Sequence, residues 1–269
     1  MRVLAVCLLL LAASAATLGA PVRSDGVESI AAAAARGDME SVRERARAHV
    51  DVNAPAEDGT AALHWVVYRQ ELDTARALLR AGADVNRPNR YGVRPLLLAI
   101  SNDDVAMVRL LLKSGAEPNS ADATGMTALM LAAGRGDPAL VTSLLDKGAA
   151  VDARDPEYQQ TALMFAARGG YAAVVRLLIE HGAQVDAQTR TGAVPAFRTP
   201  ASNSGSKGAG IVRGGWPERG ERDPTPGAKT PLLYAAREGH LDTVALLLGS
   251  GAQLEQADAD GVAPLTVVR

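Results

Sequence analysis

Apolar and polar positions follow a long fixed cycle along this chain. The apolar pairs Leu78-Leu79, Leu111-Leu112, Leu144-Leu145, Leu178-Ile179 and Leu247-Leu248 are each followed shortly by a glycine. Those glycines are Gly82, Gly115, Gly148, Gly182 and Gly251, at intervals of 33, 33, 34 and 69 residues. Gly59, Gly92 and Gly125 form a second series, also 33 apart. The last long interval is one period plus an insertion of 36. A period in this range marks stacked repeats. Each unit predicts a turn, a short helix, a tight turn, a second helix and a glycine stop. Thr127-Ala128-Leu129 and Thr161-Ala162-Leu163 open first helices, with threonine placed to accept from an orphan amide. In Thr230-Pro231-Leu232 the proline takes the first helical position, where its missing N–H costs nothing. The small pairs Ala132-Ala133, Ala166-Ala167 and Ala235-Ala236 allow close approach between units. The second helix carries its Leu pair inward and ends on a glycine suited to a left-handed cap. No unit buries its apolar face alone, so the units must stack.

These residues resemble ankyrin repeats. Gly82-Ala83-Asp84-Val85-Asn86 matches the family's Gly-Ala-Asp-Val-Asn ending literally. Ala62-Leu63-His64 keeps the Leu-His of its start, and Thr230-Pro231-Leu232 keeps its Thr-Pro-Leu. The resemblance covers residues 29 to 269 apart from the insertion. It implies an all-α solenoid of helix-turn-helix units with hairpin-like fingers. The organisation expected is a signal peptide over 1–20, then a linker and degenerate capping repeat over 21–56. Repeats one to four follow over 57–192, then the insertion over 193–229. The remainder of repeat five spans 230–256, and an incomplete sixth repeat spans 257–269.

Both ends depart from the pattern. Met1-Arg2, the apolar run Val3 to Leu11 and the small residues up to Ala20 have the layout of a secretory signal, cut between 16 and 20. An uncleaved anchor over 3–20 is the alternative reading. Export is the expectation, to the periplasm or outside the cell, by similarity to exported bacterial ankyrin proteins. In the first unit Arg45-Ala46 replaces the Leu pair and His49 replaces the glycine. Arg43, Glu44, Arg45 and Arg47 give it the polar outer face of a cap. At the other end Gly261-Val262-Ala263-Pro264-Leu265 opens a sixth unit. Either the reading frame is truncated there or repeat five is left partly uncovered.

Residues 193 to 229 hold seven glycines and five prolines. They sit where the turn between units four and five has its tip, and a long surface loop costs little more than a short one. Trp216 lies within this stretch. It has three readings: packed back on the protein's own groove, an anchor for a partner, or without fixed position.

Composition narrows the chemistry. Twenty-eight basic residues stand against 30 acidic, net −2, which argues against a general nucleic-acid binder. Aromatics make up 3% of the chain and the apolar fraction is 48%, so Ala, Leu and Val must build the core. Cys7 is the single cysteine and falls inside the signal, so no disulfide framework supports the fold. No His-Glu-x-x-His, P-loop or Gly-x-Ser-x-Gly occurs. His64 occupies the family's structural histidine position. Asp258 and Asp260 make only a weak calcium signature. No cofactor, no metal and no catalytic group are expected.

What remains is a surface. The resemblance implies that partners are held by the finger tips and the last exposed positions of the first helices. Tyr68, Tyr91 and Tyr158 are exposed-type aromatics in an aromatic-poor chain. Arg69, Arg135, Arg168 and Arg237 recur roughly in step, with Arg90, Arg94 and Arg190 nearby. They form either a cationic stripe for an acidic partner segment or ordinary helix-end arginines favoured by the helix dipole. The expected function is a monomeric, non-catalytic protein-binding scaffold. The alternative is the non-catalytic repeat part, or a truncated fragment, of a longer exported enzyme or receptor.

Overall fold

The computed structural model describes residues 29–48, 50–191 and 227–267. The expected signal peptide, His49 and Trp216 lie outside the described residues. Within them the chain is helical, with no strand and one isolated antiparallel bridge between Ala121 and Thr127.

Helices come in pairs. The first helices are α1 (Ile30–Arg36), α3 (Ala62–Tyr68), α5 (Pro95–Ser101), α7 (Ala128–Arg135), α9 (Ala162–Arg168) and α11 (Pro231–Arg237). Their partners are α2 (Met39–Arg47), α4 (Leu72–Arg80), α6 (Val105–Lys113), α8 (Pro138–Leu145), α10 (Ala172–Glu180) and α12 (Leu241–Gly249). A single turn, α13 (Pro264–Val267), follows. Each first helix packs on the next first helix and each second helix on the next second helix. The stack is continuous across the insertion, because α9 lies directly against α11.

Local chemistry sets the ends. Ser29, Thr127 and Thr230 accept the amides of Ala32, Met130 and Leu233 at 3.1, 3.2 and 3.2 Å. Thr161 departs from this expectation: its buried hydroxyl has no hydrogen-bond partner among the described residues. Asp38, Asp104 and Asp137 cap the second helices of their units. Gly82, Gly115, Gly148, Gly182 and Gly251 all have φ between 84° and 93°, and a Cβ there would meet open space. Backbone conformation, not crowding, calls for glycine at these stops.

One continuous core runs from Ile30 to Ala252. The first residue of each Leu pair is fully buried, at Leu78, Leu111, Leu144, Leu178 and Leu247. The second is not uniformly inward: Leu112 is buried, Leu79, Leu145 and Ile179 are half-buried, and Leu248 is 37% exposed. Leu241 on the same helix is 66% exposed.

Turn asparagines join the units. Asn53 Nδ2 donates to the Gly82 carbonyl at 2.9 Å, and its Oδ1 accepts Asp84 N–H at 2.7 Å. Asn86 repeats this with Gly115 and Glu117, and Asn119 with Gly148 and Ala150. At the next two joints aspartates replace asparagine. Asp152 accepts from Gln184 N–H and Asp186 from Gln253 N–H, both at 2.9 Å. A carboxylate has no amide donor, so these joints carry one bond of this kind instead of two.

Candidate binding surface

Four of the fingers are closed by a side chain seven residues after the glycine stop. Asn89 Oδ1 accepts the amides of Tyr91 and Val93, both at 3.0 Å. Asp122 does the same for Thr124 and Met126, Asp155 for Glu157, Tyr158 and Gln160, and Asp258 for Asp260 and Val262. These are Asx turns, which hold a tip without strand pairing. Fingers also bond to one another, through Arg90 N–H to Asp58 O at 2.9 Å and Arg190 N–H to Tyr158 O at 2.9 Å.

The fifth finger is different. Its equivalent position is Thr189, which closes a wider base. Thr189 N–H donates to Lys229 O at 3.1 Å, Ala228 N–H donates to Thr189 O at 3.2 Å, and Thr189 Oγ1 accepts Lys229 N–H at 3.0 Å. Ala259 N–H of the next finger donates to Gly227 O at 3.1 Å. The described chain thus runs to Thr191 and resumes at Gly227 beside the same finger base.

The expected tip aromatics are exposed at Tyr91 (48%) and Tyr158 (37%). Tyr68 is half-buried and stands edge-on to buried Trp65, with ring centroids 6.3 Å apart. Of the row Trp65, Leu98, Leu131, Phe165 and Tyr234, Leu131 is half-buried and the other four are buried.

The arginines do not form one stripe. Arg69 and Arg135 stand at the eighth position of their first-helix segments, Arg168 and Arg237 at the seventh. One residue turns a helical side chain by about 100°. The eighth-position side chains turn back to the preceding unit. Arg69 Nη2 donates to Ala35 O at 2.6 Å, Asn102 Nδ2 to Tyr68 O at 3.2 Å, and Arg135 forms a two-pronged pair with Asp103. The Asp103 pair raises the Arg135 pKa. Arg69 and Asn102 satisfy carbonyls that the end of a helix leaves without intrahelical donors. At the fingers Arg90 donates to the Glu57 carbonyl, Arg94 pairs with Glu117 at 2.7 Å, and Arg190 Nη2 reaches Pro156 O at 3.3 Å.

The seventh-position arginines face the other way. Arg237 Nη2 pairs with Asp258 Oδ2 at 2.7 Å, so Asp258 serves a finger and an ion pair rather than a calcium site. The carbonyl of half-buried Arg168 pairs with His240 Nε2 at 3.0 Å, but its guanidinium has no hydrogen-bond or ion-pair partner among the described residues. Its charge is felt by two neighbours, Tyr234 of the buried row and Lys229, which sequence reasoning missed. Lys229 is 2% exposed. Desolvation, reinforced by Arg237, pushes its pKa down to about 8. Tyr234 is 9% exposed; burial raises its pKa, and its hydroxyl accepts from Gln160 Nε2 at 3.0 Å. The signal for Lys229 was its place immediately before the Thr230 cap, in the row of Val93, Met126 and Gln160.

His64 is a structural group. Its Nδ1 accepts Ala61 N–H at 3.2 Å and its Nε2–H donates to Val93 O at 3.1 Å, a neutral tautomer fixed by both partners. Burial lowers its pKa. Among the described residues no group of three His, Cys, Asp or Glu is placed to hold a metal. No described helix is long and apolar enough to cross a membrane.

Known proteins share this architecture. A family profile for three copies of the ankyrin repeat matches residues 30–122 and 115–189, and a single-repeat profile matches 229–259. No curated protein matches the sequence. Among solved structures, the crystal structure of the human ASB11 ankyrin repeat domain is 24% identical, with a TM-score of 0.66 over 90% of this chain and 92% of that one. At this identity the likeness speaks for the fold alone.

Proposed function

The chain belongs to the ankyrin-repeat family, and from that membership we propose that it holds an acidic segment of a partner protein against units four and five. Ankyrin repeats are generally protein–protein interaction modules, and the family is generally non-catalytic. The observation that carries the finer reading is Arg168, a half-buried residue whose guanidinium has no acceptor among the described residues. It lies beside Lys229 and Tyr234, near the finger that carries exposed Tyr158. Charge-assisted bonds from arginine to carboxylate are strong and directional. Arg69, Arg135 and Arg237 already have internal acceptors, so the cationic surface narrows from five units to two. The segment 193–229, inserted between units four and five in the sequence, is proposed as a second contact for the same partner. Export rests on the sequence of residues 1–20.

Panning a displayed peptide library against the mature chain tests the reading. One class of acidic peptides is enriched on the parent protein and lost on Arg168→Glu, while far-UV circular dichroism is unchanged. Arg135→Glu is an unsuitable probe, because it places a carboxylate against Asp103. Equal enrichment on parent and variant would remove Arg168 as the anchor. A third bait lacking residues 199–226 separates recognition by the insertion from recognition by the repeats.

A further inference from the structure

A solvent-open groove of about 480 Å³ runs along the outgoing limb of the fifth finger, residues 184–191, with Arg154 and Gln159 as its other wall. Small-ligand sites commonly span about 300–1,000 Å³. The lining is polar, and two guanidiniums border it, Arg154 and Arg190. Both are held from behind by the backbone. Arg154 Nη1 donates to Gln188 O at 2.8 Å and Arg190 Nη2 to Pro156 O at 3.3 Å. The carboxylate in the lining, Asp186, already accepts Gln253 N–H at 2.9 Å. Arg190 Nε is buried, with no acceptor among the described residues, so the groove is offered the outer edge of the side chain and not this atom.

We infer that this groove is a second recognition site, which takes the carboxylates of an extended acidic peptide between Arg154 and Arg190. The inference rests on the protein-binding reading above but on none of the residues that carry it. The groove differs from the Arg168 surface in its walls, since Arg154 and the 184–191 limb line it and Lys229 and Tyr234 do not. Gln159, Gln184 and Gln188 supply amides that suit a peptide backbone alongside the charged contact.

The test uses the full chain and a fluorescein-labelled octaglutamate peptide blocked at both ends, with octaglutamine as the neutral control. Octaglutamate binds at least about tenfold more tightly than octaglutamine, and its affinity falls with added salt. It shifts the amide resonances of Gln184, Gln188 and Thr189. Arg154→Gln, at an exposed position, weakens binding about tenfold, and Arg190→Lys, which keeps the charge but not the fork, weakens it less. Arg168→Gln leaves it within about twofold. Equal affinity for both peptides, loss of binding only in Arg168→Gln, or resonance shifts confined to units one to three would each overturn the assignment. Displacement of octaglutamate by an equal concentration of free glutamate would overturn the extended-peptide part of it.

Discussion

A single amide group distinguishes the first three joints of the stack from the last two. Asn53, Asn86 and Asn119 each donate to a glycine carbonyl of the next unit, and Asp152 and Asp186 do not. Asp152→Asn is therefore expected to add a bond at a solvent-exposed joint and to stabilise by about 0.5–1 kcal/mol. Asn86→Asp is expected to lose a similar amount. Urea unfolding with an unchanged m-value checks both. Lys229 and His64 each contribute a pH dependence. Lys229 has its pKa lowered to about 8, below the roughly 10.4 of an unfolded lysine. Between those values the unfolded chain binds more protons, so stability rises with pH across that window. Below pH 8 the penalty of burying the cation is fully present. Lys229→Met is expected to abolish the rise and to stabilise the protein at neutral pH. His64 is also depressed, so stability falls as pH drops below about 6.5. Chemical denaturation at a series of pH values reads both effects. The role of His64 was legible in the spacing, because its two backbone partners come from the repeat itself. Lys229 was not, because its burial depends on finger six packing over a finger interrupted by the insertion. The split among the arginines was present in the sequence: Arg135 stands two residues after Ala132-Ala133, and Arg168 one residue after Ala166-Ala167.

At the scale of the element, glycines do two different jobs. Gly82 ends α4 at φ 88° with open space around it. Gly169 has an ordinary φ, but a Cβ there would collide with the ring of Tyr171. Gly82→Ala is expected to destabilise by about 1 kcal/mol through backbone strain. Gly169→Ala destabilises through the collision, and Tyr171→Ala should rescue the second substitution and leave the first untouched. A double-mutant cycle on thermal unfolding separates the two causes. Helix starts were readable where threonine, aspartate or proline stands at the boundary, as at Thr127, Asp104 and Pro231. Thr161 shows the limit of that reading: it has the right residue at the right place and makes no cap bond. The finger closures at Asn89, Asp122, Asp155 and Asp258 recur with the repeat, but their neighbours along the chain do not reveal which amides each side chain takes.

The whole molecule behaves as a row of neighbours. First-helix packing continues from α9 to α11, so the stack does not depend on the inserted segment for its continuity. Deleting residues 199–226 is expected to move Tm by no more than about 3 °C, since loop length enters closure entropy only logarithmically. Calorimetry of the two chains decides this. Packing carries the stability instead. Leu144→Ala removes a fully buried side chain from the middle of the row and should cost about 3 kcal/mol, whereas Leu241→Gln, at a site 66% exposed, should cost less than about 0.5 kcal/mol. The solenoid and its period were legible because the same apolar positions recur in every unit. The surface was legible only as a set of candidate positions, because internal acceptors such as Asp103 and Asp258 decide which arginines remain available. The unequal joints also give the row a mechanical grain. Pulled by its two ends, a stack with double stitches at three joints and single stitches at two is a spring that is stiff at one end and compliant at the other. The joints at Asp152 and Asp186 should then yield at lower force than those at Asn53, Asn86 and Asn119, and the inserted stretch falls, along the sequence, between the two partners of the Asp186 joint.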